Sequence, residues 1–135
     1  MEFITKNAAE TKELGKKIGT SLKGGAVLAL SGELGAGKTT FVQGLAEGLG
    51  IKAKIISPTF ILMRHYDNLY HLDLYRLEGD VWNEVKNLGV NDFWGRDNNV
   101  FVIEWAEKIK DHLPKETKLI SFEQIDENQR RIVIK

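Results

Sequence analysis

The chain has 135 residues, 42% of them hydrophobic, and its 19 basic and 19 acidic side chains give a formal net charge of zero. This length predicts a single domain spanning residues 1–135, and the balanced charge argues against a non-specific nucleic-acid or membrane binder. The absence of cysteine excludes disulfides and thiolate metal sites. No apolar run approaches the roughly 20 residues that span a bilayer, and the first residues lack the apolar centre of a signal peptide, so we expect a cytoplasmic protein.

The first half of the chain alternates between predicted strands and helices. Residues 2–5 predict a short strand, and the helix that follows is expected to be capped by Asn7, with Glu10 three residues further on. Residues 26–30 form an apolar run that is typical of a buried strand. A second helical pattern comes after it, and residues 51–56 predict a further strand.

The second half is predicted to supply the remaining strands of a sheet. Residues 60–66 and 69–74 are expected to form a hairpin, and a short helical pattern follows them. Residues 99–104, NVFVIE, are almost continuously apolar, as in a strand at the centre of a covered sheet. Residues 119–125 and 130–134 predict a closing antiparallel pair. This order predicts a three-layer α/β fold with a central mixed sheet and antiparallel edge strands, in which ligands bind at the carboxyl ends of the parallel strands.

One segment carries a complete phosphate-binding pattern. Residues 32–39 read GELGAGKT, the Walker A pattern G-x-x-x-x-G-K-[ST], between a predicted strand and a predicted helix. Glycines allow backbone N–H groups to turn inward around a phosphate, Lys38 can reach the β- and γ-phosphate oxygens, and Thr39 can ligate Mg²⁺. The pattern therefore predicts a P-loop fold that binds a nucleoside triphosphate. The residues expected to bind it are Gly35, Ala36, Gly37, Lys38, Thr39 and Thr40.

Two acidic residues are candidates for the metal side of this site. Glu104 ends an apolar strand pattern, so its carboxylate is expected at the same sheet edge as Lys38, where it would bind Mg²⁺ directly or through water, or orient the attacking water. Asp73 lies between Leu72 and Leu74, which are expected to face the core. This alternation either places Asp73 near the metal or leaves it an ordinary exposed acid.

Other polar and aromatic residues give weaker indications. Thr59 follows a proline in a predicted loop, where it would either sense the γ-phosphate, as switch threonines do, or belong to an ordinary turn. Trp105 either stacks over the nucleotide or packs in the core. His65, His71 and His112 have no metal-ligand spacing, and each is interpreted as structural or solvated.

Six short motifs follow one another in an order that covers most of the chain. They are ETKELG (10–15), GELGAGKTTFVQGL (32–45), SPTF (57–60), YHLDLYRL (70–77), LGVNDFW (88–94) and IEW (103–105). In this order and spacing they resemble the TsaE (YjeE) family, the P-loop ATPase component of bacterial tRNA threonylcarbamoyladenosine biosynthesis. The phosphate-binding loop alone would not select this family, whereas SPTF followed by HLDLYRL and IEW does.

The resemblance implies an ATPase that uses ATP and Mg²⁺, with the metal held by Thr39 and Glu104. It implies a switch-like role for the SPTF segment and places Thr11 on the nucleotide side, although spacing alone would leave Thr11 on the polar face of a helix. Lys38, Glu104 and Asp73 become the candidate catalytic residues. The remaining nucleotide-site residues that the resemblance implies are Thr11, Thr59 and Trp105.

The resemblance also implies partners. Proteins of this family associate with TsaB and TsaD, and TsaD transfers the threonylcarbamoyl group to tRNA. ATP hydrolysis would then support repeated turnover of the TsaB–TsaD complex. The neutral net charge agrees with indirect contact to tRNA through that complex.

Three alternatives use the same loop differently. A small-molecule kinase would transfer phosphate to an organic hydroxyl, but the chain has little room for a lid and an acceptor pocket. A nucleotide-dependent regulatory switch of the GTPase type would need an N-K-x-D motif, which the sequence lacks. A purely structural nucleotide-binding module would not need the intact Lys38, Thr39 and Glu104.

Overall fold

The computed structural model describes residues 1–22, 25–33, 37–56, 62–89, 92, 94 and 98–135. None of the helices in these ranges is both long and apolar enough to cross a membrane. In chain order, the elements are β1 (Glu2–Thr5), α1 (Ala8–Ser21), β2 (Ala26–Ser31), α2 (Lys38–Gly48), β3 (Met63–Tyr66), β4 (Leu69–Asp73), α3 (Val81–Asn87), β5 (Val100–Glu104), the 3₁₀ helix Ala106–His112, β6 (Lys118–Gln124) and β7 (Arg130–Ile134).

These strands form one seven-stranded sheet in the order β1-β7-β6-β2-β5-β4-β3. The central strand β2 is parallel to β5 on one side and to β6 on the other, and β4 runs parallel to β5. Towards the two edges, the pairs β1–β7, β6–β7 and β3–β4 are antiparallel. The predicted mixed sheet with antiparallel edges is therefore confirmed.

Helices cover both faces of the sheet, and β5 is buried along its whole length. On this strand, Val100 and Val102 belong to a core cluster that includes residues of α1 and α2. Phe101 and Ile103 alternate with them and belong to a second cluster, which includes residues of α3 and the 3₁₀ helix. Because alternate side chains of one strand enter two separate cores, the arrangement has the three layers that the sequence predicted.

The helices α1 and α2 pack so closely that glycines are needed at their contact. A Cβ atom added to Gly44 would lie 1.9 Å from the carbonyl oxygen of Lys12, and one added to Gly15 would lie 2.2 Å from that of Phe41. A Cβ atom essentially never lies within 3.0 Å of another non-bonded heavy atom, so the two backbones leave no room for a side chain. This contact fixes α2, and with it Lys38, against α1.

The start of α1 follows the predicted capping pattern. The Asn7 side chain accepts a hydrogen bond from the backbone N–H of Glu10 at 2.9 Å. The Glu10 carboxylate in turn accepts one from the backbone N–H of Lys6 at 2.8 Å. These bonds satisfy amide groups at the helix start, because the helix itself offers no acceptor to its first N–H groups.

One predicted strand is wrong. Residues 51–56 form no strand, since their amide groups bond elsewhere: Ile51 N donates to the carbonyl of Ala46 at 2.9 Å, and Ile56 N donates to the hydroxyl of Tyr66 at 3.2 Å. Of the apolar side chains that suggested a strand, Ile51 and Ile55 enter the core beside α1 and α2, and Ile56 is exposed.

The other strand predictions differ from the structure only at their ends. The hairpin is present as β3 and β4, with a turn at Asp67 and Asn68, but β4 ends at Asp73. Residues 60 and 61, at the start of the predicted first arm, lie outside the described ranges. The closing pair is present as β6 and β7.

Candidate functional site

Lys38 lies at the first position of α2, next to the carboxyl end of β2. Its Nζ atom donates a hydrogen bond to the carbonyl oxygen of Gly32 at 2.7 Å and lies 3.7 Å from Oε1 of Glu104. It also lies 5.0 Å from the centre of the Trp105 ring, within cation–π distance. Only 5% of the residue is exposed, and these contacts offset the unfavourable burial of an ammonium group.

The parallel strands bring the acidic residues to the same place. Leu30 of β2 is opposite Glu104 of β5, and Asp73 of β4 is opposite Glu104 from the other side. The carboxyl ends of three parallel strands therefore meet at one edge of the sheet. The sequence predicted Glu104 at the same edge as Lys38, and the structure places it there.

Asp73 is buried, which excludes the alternative of an ordinary exposed acid. One of its carboxylate oxygens, Oδ1, accepts a hydrogen bond from the backbone N–H of Tyr75 at 3.0 Å. Its neighbours Leu72 and Leu74 are fully buried in the core beside α3, as the alternation predicted. Asp73 therefore lies on the other face of the sheet from Leu72 and Leu74. This is the face covered by α2, and Asp73 lies beside Glu104 there.

His71 is a site residue that the sequence analysis missed. It is fully buried, so it is not solvated, and its Nε2 atom lies 2.6 Å from Oε2 of Glu104. His65 and His112 are exposed and stack on Tyr70 and Trp82. A signal was present, because strand alternation places residue 71 on the same face as residue 73, and the parallel register then brings both to Glu104.

Trp105 borders the site and the core at the same time. Its side chain packs against the cluster beside α3, while its ring faces the Lys38 ammonium. The exposed Tyr75 ring lies 5.0 Å away at a tilt of 42°. The Trp105 backbone has a φ of 61° and a ψ of 36°, a left-handed conformation that is uncommon outside glycine and clusters at functional sites.

A second part of the site lies between α1 and the turn that joins β6 to β7. A cavity of about 110 Å³ is bordered here by Ala8, Thr11, Gly37, Thr40, Glu127, Asn128 and Arg130. Thr11 is not on an exposed polar helix face: it is 1% exposed, and its Oγ1 atom is 2.7 Å from Oγ1 of Thr5. The cavity adjoins the start of α2, so Thr11 and Thr40 lie near Lys38, on the side away from Glu104 and Asp73.

The β6–β7 turn is held by its own acidic residue. The backbone N–H groups of Gln129 and Asn128 donate hydrogen bonds to Oδ1 of Asp126 at 2.8 and 2.9 Å. These bonds stabilise the ionised carboxyl and lower the pKa of Asp126 below its usual value. The turn therefore has a fixed shape where it borders the cavity.

The start of α2 suits an anion. Gly37 precedes the helix with a φ of 97°, and no side-chain hydrogen bond caps it. The first N–H groups of a helix lack partners within it and carry partial positive charge, which here adds to the charge of Lys38. Thr39 and Thr40 lie in this first turn. Gly35, Ala36 and Thr59, which the sequence also assigned to the site, lie outside the described residues.

Thr39 and Glu104 are the side chains that could hold a magnesium ion shared with a phosphate. Within the described ranges, no three His, Cys, Asp or Glu side chains converge to hold a metal on their own. Mg²⁺ commonly takes one or two protein ligands and completes its shell with water and substrate phosphates. Thr39 and Glu104 would supply such a limited set of ligands.

Comparison with known proteins gives the family. A family model described as "Threonylcarbamoyl adenosine biosynthesis protein TsaE" matches residues 5–132. The chain belongs to the TsaE family. A relative from Bacillus subtilis, named tRNA threonylcarbamoyladenosine biosynthesis protein TsaE, is 39% identical over 98% of this chain and 83% of its own length. A relative of the same name from Treponema pallidum is 38% identical over 99% of both chains.

A solved structure shows the same architecture. The crystal structure of YdiB from Bacillus subtilis matches this TsaE-family chain with a TM-score of 0.80 and 33% sequence identity, covering 99% of this chain and 83% of that one. The three-layer α/β fold of this TsaE-family member is therefore shared with an experimentally determined structure over nearly its whole length.

Proposed function

We propose that this protein binds and hydrolyses ATP with Mg²⁺, and that it is an accessory protein in tRNA N6-threonylcarbamoyladenosine modification that supports the turnover of a TsaB–TsaD complex. The observation that carries the proposal is the buried pair of Lys38 and Glu104, located where α2 begins and three parallel strands end. A buried ion pair is weak support for stability, because desolvation of both charges offsets their attraction. Its position at a helix start favours a role in binding a charged ligand.

The residues around this pair have distinct proposed roles. Lys38 and the loop amides bind phosphate oxygens, and Thr39 and Glu104 hold Mg²⁺. Bound Mg²⁺ would neutralise phosphate charge as the reaction proceeds. Asp73 lies beside Glu104, and either carboxylate can orient the attacking water. Hydrolysis by the isolated protein is expected to be slow, since the sequence shows no candidate for an arginine that completes the charge stabilisation.

The nucleotide is proposed to extend from Lys38 towards Thr11. Gly37 and Thr40 border the cavity on that side, and Trp105 borders the site next to Lys38. Gly35 and Ala36 complete the loop by the sequence pattern, and Thr59 remains a predicted γ-phosphate sensor. ATP is favoured over GTP because the sequence lacks the N-K-x-D motif that reads guanine.

The partners are proposed from the family. The relatives from Bacillus subtilis and Treponema pallidum are named for tRNA threonylcarbamoyladenosine biosynthesis. A chain with no net charge fits a protein that reaches tRNA through TsaB and TsaD, in the cytoplasm. Trp105 also gives a route to the surface, since its ring contacts both Lys38 and the exposed Tyr75. A movement of Lys38 on nucleotide binding would thereby be passed through Trp105 to Tyr75, which is exposed to a partner.

The test is ATP turnover measured with and without TsaB–TsaD and tRNA, together with the yield of modified tRNA per TsaD. We expect the complex to stimulate hydrolysis, and modification to stop after about one turnover when this protein is omitted. Lys38→Ala should abolish ATP binding and both activities. Unchanged ATP binding in that variant would contradict the loop assignment, and full multiple-turnover modification without the protein would contradict the accessory role.

The same assay separates hydrolysis from phosphate transfer to an organic acceptor. ATP labelled at the γ-phosphate should yield labelled inorganic phosphate in an amount equal to the ADP formed. A deficit of inorganic phosphate, with label on another molecule, would favour a small-molecule kinase.

A further inference from the structure

Glu104 is held on both of its carboxylate oxygens. Oε1 lies 3.7 Å from Nζ of Lys38, and Oε2 lies 2.6 Å from Nε2 of His71. The side chains of Lys38 and Glu104 are 4% and 5% exposed, and that of His71 is not exposed at all. The carboxylate therefore cannot rotate about its terminal bond without losing the shorter of these contacts.

The surroundings of the His71 ring indicate which nitrogen carries the hydrogen. Nδ1 is buried and has no hydrogen-bond partner in the described part of the chain. A hydrogen on Nδ1 alone would leave a buried donor without an acceptor and would turn the lone pair of Nε2 towards a carboxylate oxygen. With the hydrogen on Nε2, the ring donates a charge-assisted bond to Oε2 of Glu104, and the Nδ1 lone pair is left without a partner among the described residues.

Packing alone does not explain a histidine at this position. The adjacent core positions of β4, Leu69 and Leu72, are fully buried leucines, and an apolar residue at 71 would avoid both the desolvation of the ring and the unpaired Nδ1. A polar residue that is costly to bury and has one strong partner is typical of a functional site. Among the residues that the structure describes, the contact that offsets this cost is the one to Glu104.

We propose that His71 is a positioning residue, which fixes the Glu104 carboxylate in the orientation needed to hold Mg²⁺ beside the nucleotide phosphates. This inference rests on the proposed function and adds a residue to the same site. Residues that orient a metal-binding side chain contribute about 10- to 100-fold to metal affinity or activity.

Three variants test the inference. His71→Leu removes the donor, His71→Gln carries an amide N–H at about the reach of Nε2, and His71→Asn carries one only at the reach of Nδ1. The readout is the affinity for ADP, measured by calorimetry with Mg²⁺ and with EDTA. We expect the Mg²⁺-dependent gain in ADP affinity to be roughly 10- to 100-fold smaller in His71→Leu and His71→Asn than in the unaltered protein. The affinity for ADP measured with EDTA should change little. His71→Gln should recover most of the Mg²⁺-dependent gain.

Two results would overturn the positioning role. One is a normal Mg²⁺-dependent gain in His71→Leu, and the other is an equal loss in all three variants. If Lys38→Ala also binds ADP normally, the proposed function itself has failed. If Lys38→Ala no longer binds ADP while His71→Leu keeps the full Mg²⁺-dependent gain in ADP affinity, only the positioning role has failed.

A measurement on the unaltered protein keeps the inference testable if a variant does not fold. Nitrogen-15 NMR of the histidine rings should show Nε2 of His71 carrying a slowly exchanging hydrogen. A hydrogen on Nδ1 alone would contradict donation to Glu104.

Discussion

The α1–α2 contact and the charged cluster of Lys38, Glu104 and His71 are both buried and closely fitted, but they tolerate opposite changes. At the helix contact the backbones meet directly, and any added atom separates the helices. In the cluster, charges are taken out of water, at a cost that apolar side chains of similar size would not incur. The first region therefore serves the fold, and we propose that the second is retained for ligand binding at the expense of stability.

The largest effect on stability is expected from Gly44→Ala. Alanine favours a helix over glycine by about 1 kcal/mol, so the change would be stabilising if the helix surface were free. Instead, the new Cβ would meet the carbonyl of Lys12, and we expect the free energy of unfolding in urea to fall by about 3 kcal/mol. The control in the same helix is Glu47→Ala, at an exposed surface ion pair, with an expected loss below about 1 kcal/mol.

If Gly44→Ala were more stable than the unaltered protein, the conclusion that the α1–α2 contact has no room for an added atom would be wrong. The two backbones would then have to separate without cost, and the glycines would reflect something other than close packing.

The cost of burying charge in the cluster of Lys38, Glu104 and His71 is tested by the double variant Lys38→Met, Glu104→Gln. It removes both charges, keeps similar side-chain volumes and leaves an amide oxygen that can accept from His71. We expect the free energy of unfolding to stay within about 1 kcal/mol of the unaltered protein, while affinity for Mg²⁺ and ATP falls at least about 100-fold. Lys38→Met alone should be less stable than the double variant, because it leaves the Glu104 charge without its ammonium partner.

Equal losses of stability in the double variant and in Gly44→Ala would contradict the distinction between the two regions. Urea denaturation and a nucleotide titration on the same preparations decide the outcome.

Thr11 lies on α1, as the first region does, and borders the cavity next to Gly37. Thr11→Val leaves the buried Thr5 hydroxyl without its partner, and we expect a loss of about 1 kcal/mol in the free energy of unfolding. Nucleotide affinity should also fall. In the double variant Thr5→Val, Thr11→Val, stability should recover and nucleotide affinity should not; recovery of both would show that Thr11 has only a structural role.

The smallest effect is expected at Asp126, in the fully exposed turn beside the cavity. The pKa of Asp126 is lowered in the folded protein, so its ionised carboxylate stabilises the folded state at pH values above the unfolded-state pKa of roughly 3.9. This contribution is lost as the pH falls through the lower pKa of the folded state. The unaltered protein should therefore be slightly more stable than Asp126→Asn near neutral pH, and the difference should vanish once the pH is below the lowered pKa of Asp126. A difference that grows on acidification would contradict this assignment.

Most of the fold could be predicted because its signals are local. The apolar run of β5 and the alternation in β4, β6 and β7 are visible within a few residues, and the Asn7 cap depends on a side chain and an amide three positions away. The strand predicted for residues 51–56 failed because Ile51 and Ile55 enter the core while the amides of Ile51 and Ile56 bond to a helix carbonyl and to a side-chain hydroxyl instead of a strand backbone. An apolar pattern reports burial, and it does not report which partner the backbone finds.

The candidate site was predicted unevenly for a similar reason. Glu104 follows an apolar run and Lys38 belongs to a motif, so each carries a sequence signal of its own. His71 has only the weaker signal of strand alternation, since its partner lies 33 residues away and is reached only through the register of β4 on β5. The burial of Asp73 and Thr11 likewise depends on neighbours that are distant in sequence.

The sequence by itself determined the phosphate-binding pattern at residues 32–39, the order of strands and helices apart from the strand expected at 51–56, and the acid that ends the central apolar strand. These features follow from residue types and short-range periodicity, which constrain the backbone wherever it lies. Only the tertiary structure decided that α1 and α2 touch through glycines, that Asp73 is buried, and that His71 holds Glu104. Such contacts depend on strand register and helix separation, which are set by the packing of the whole chain.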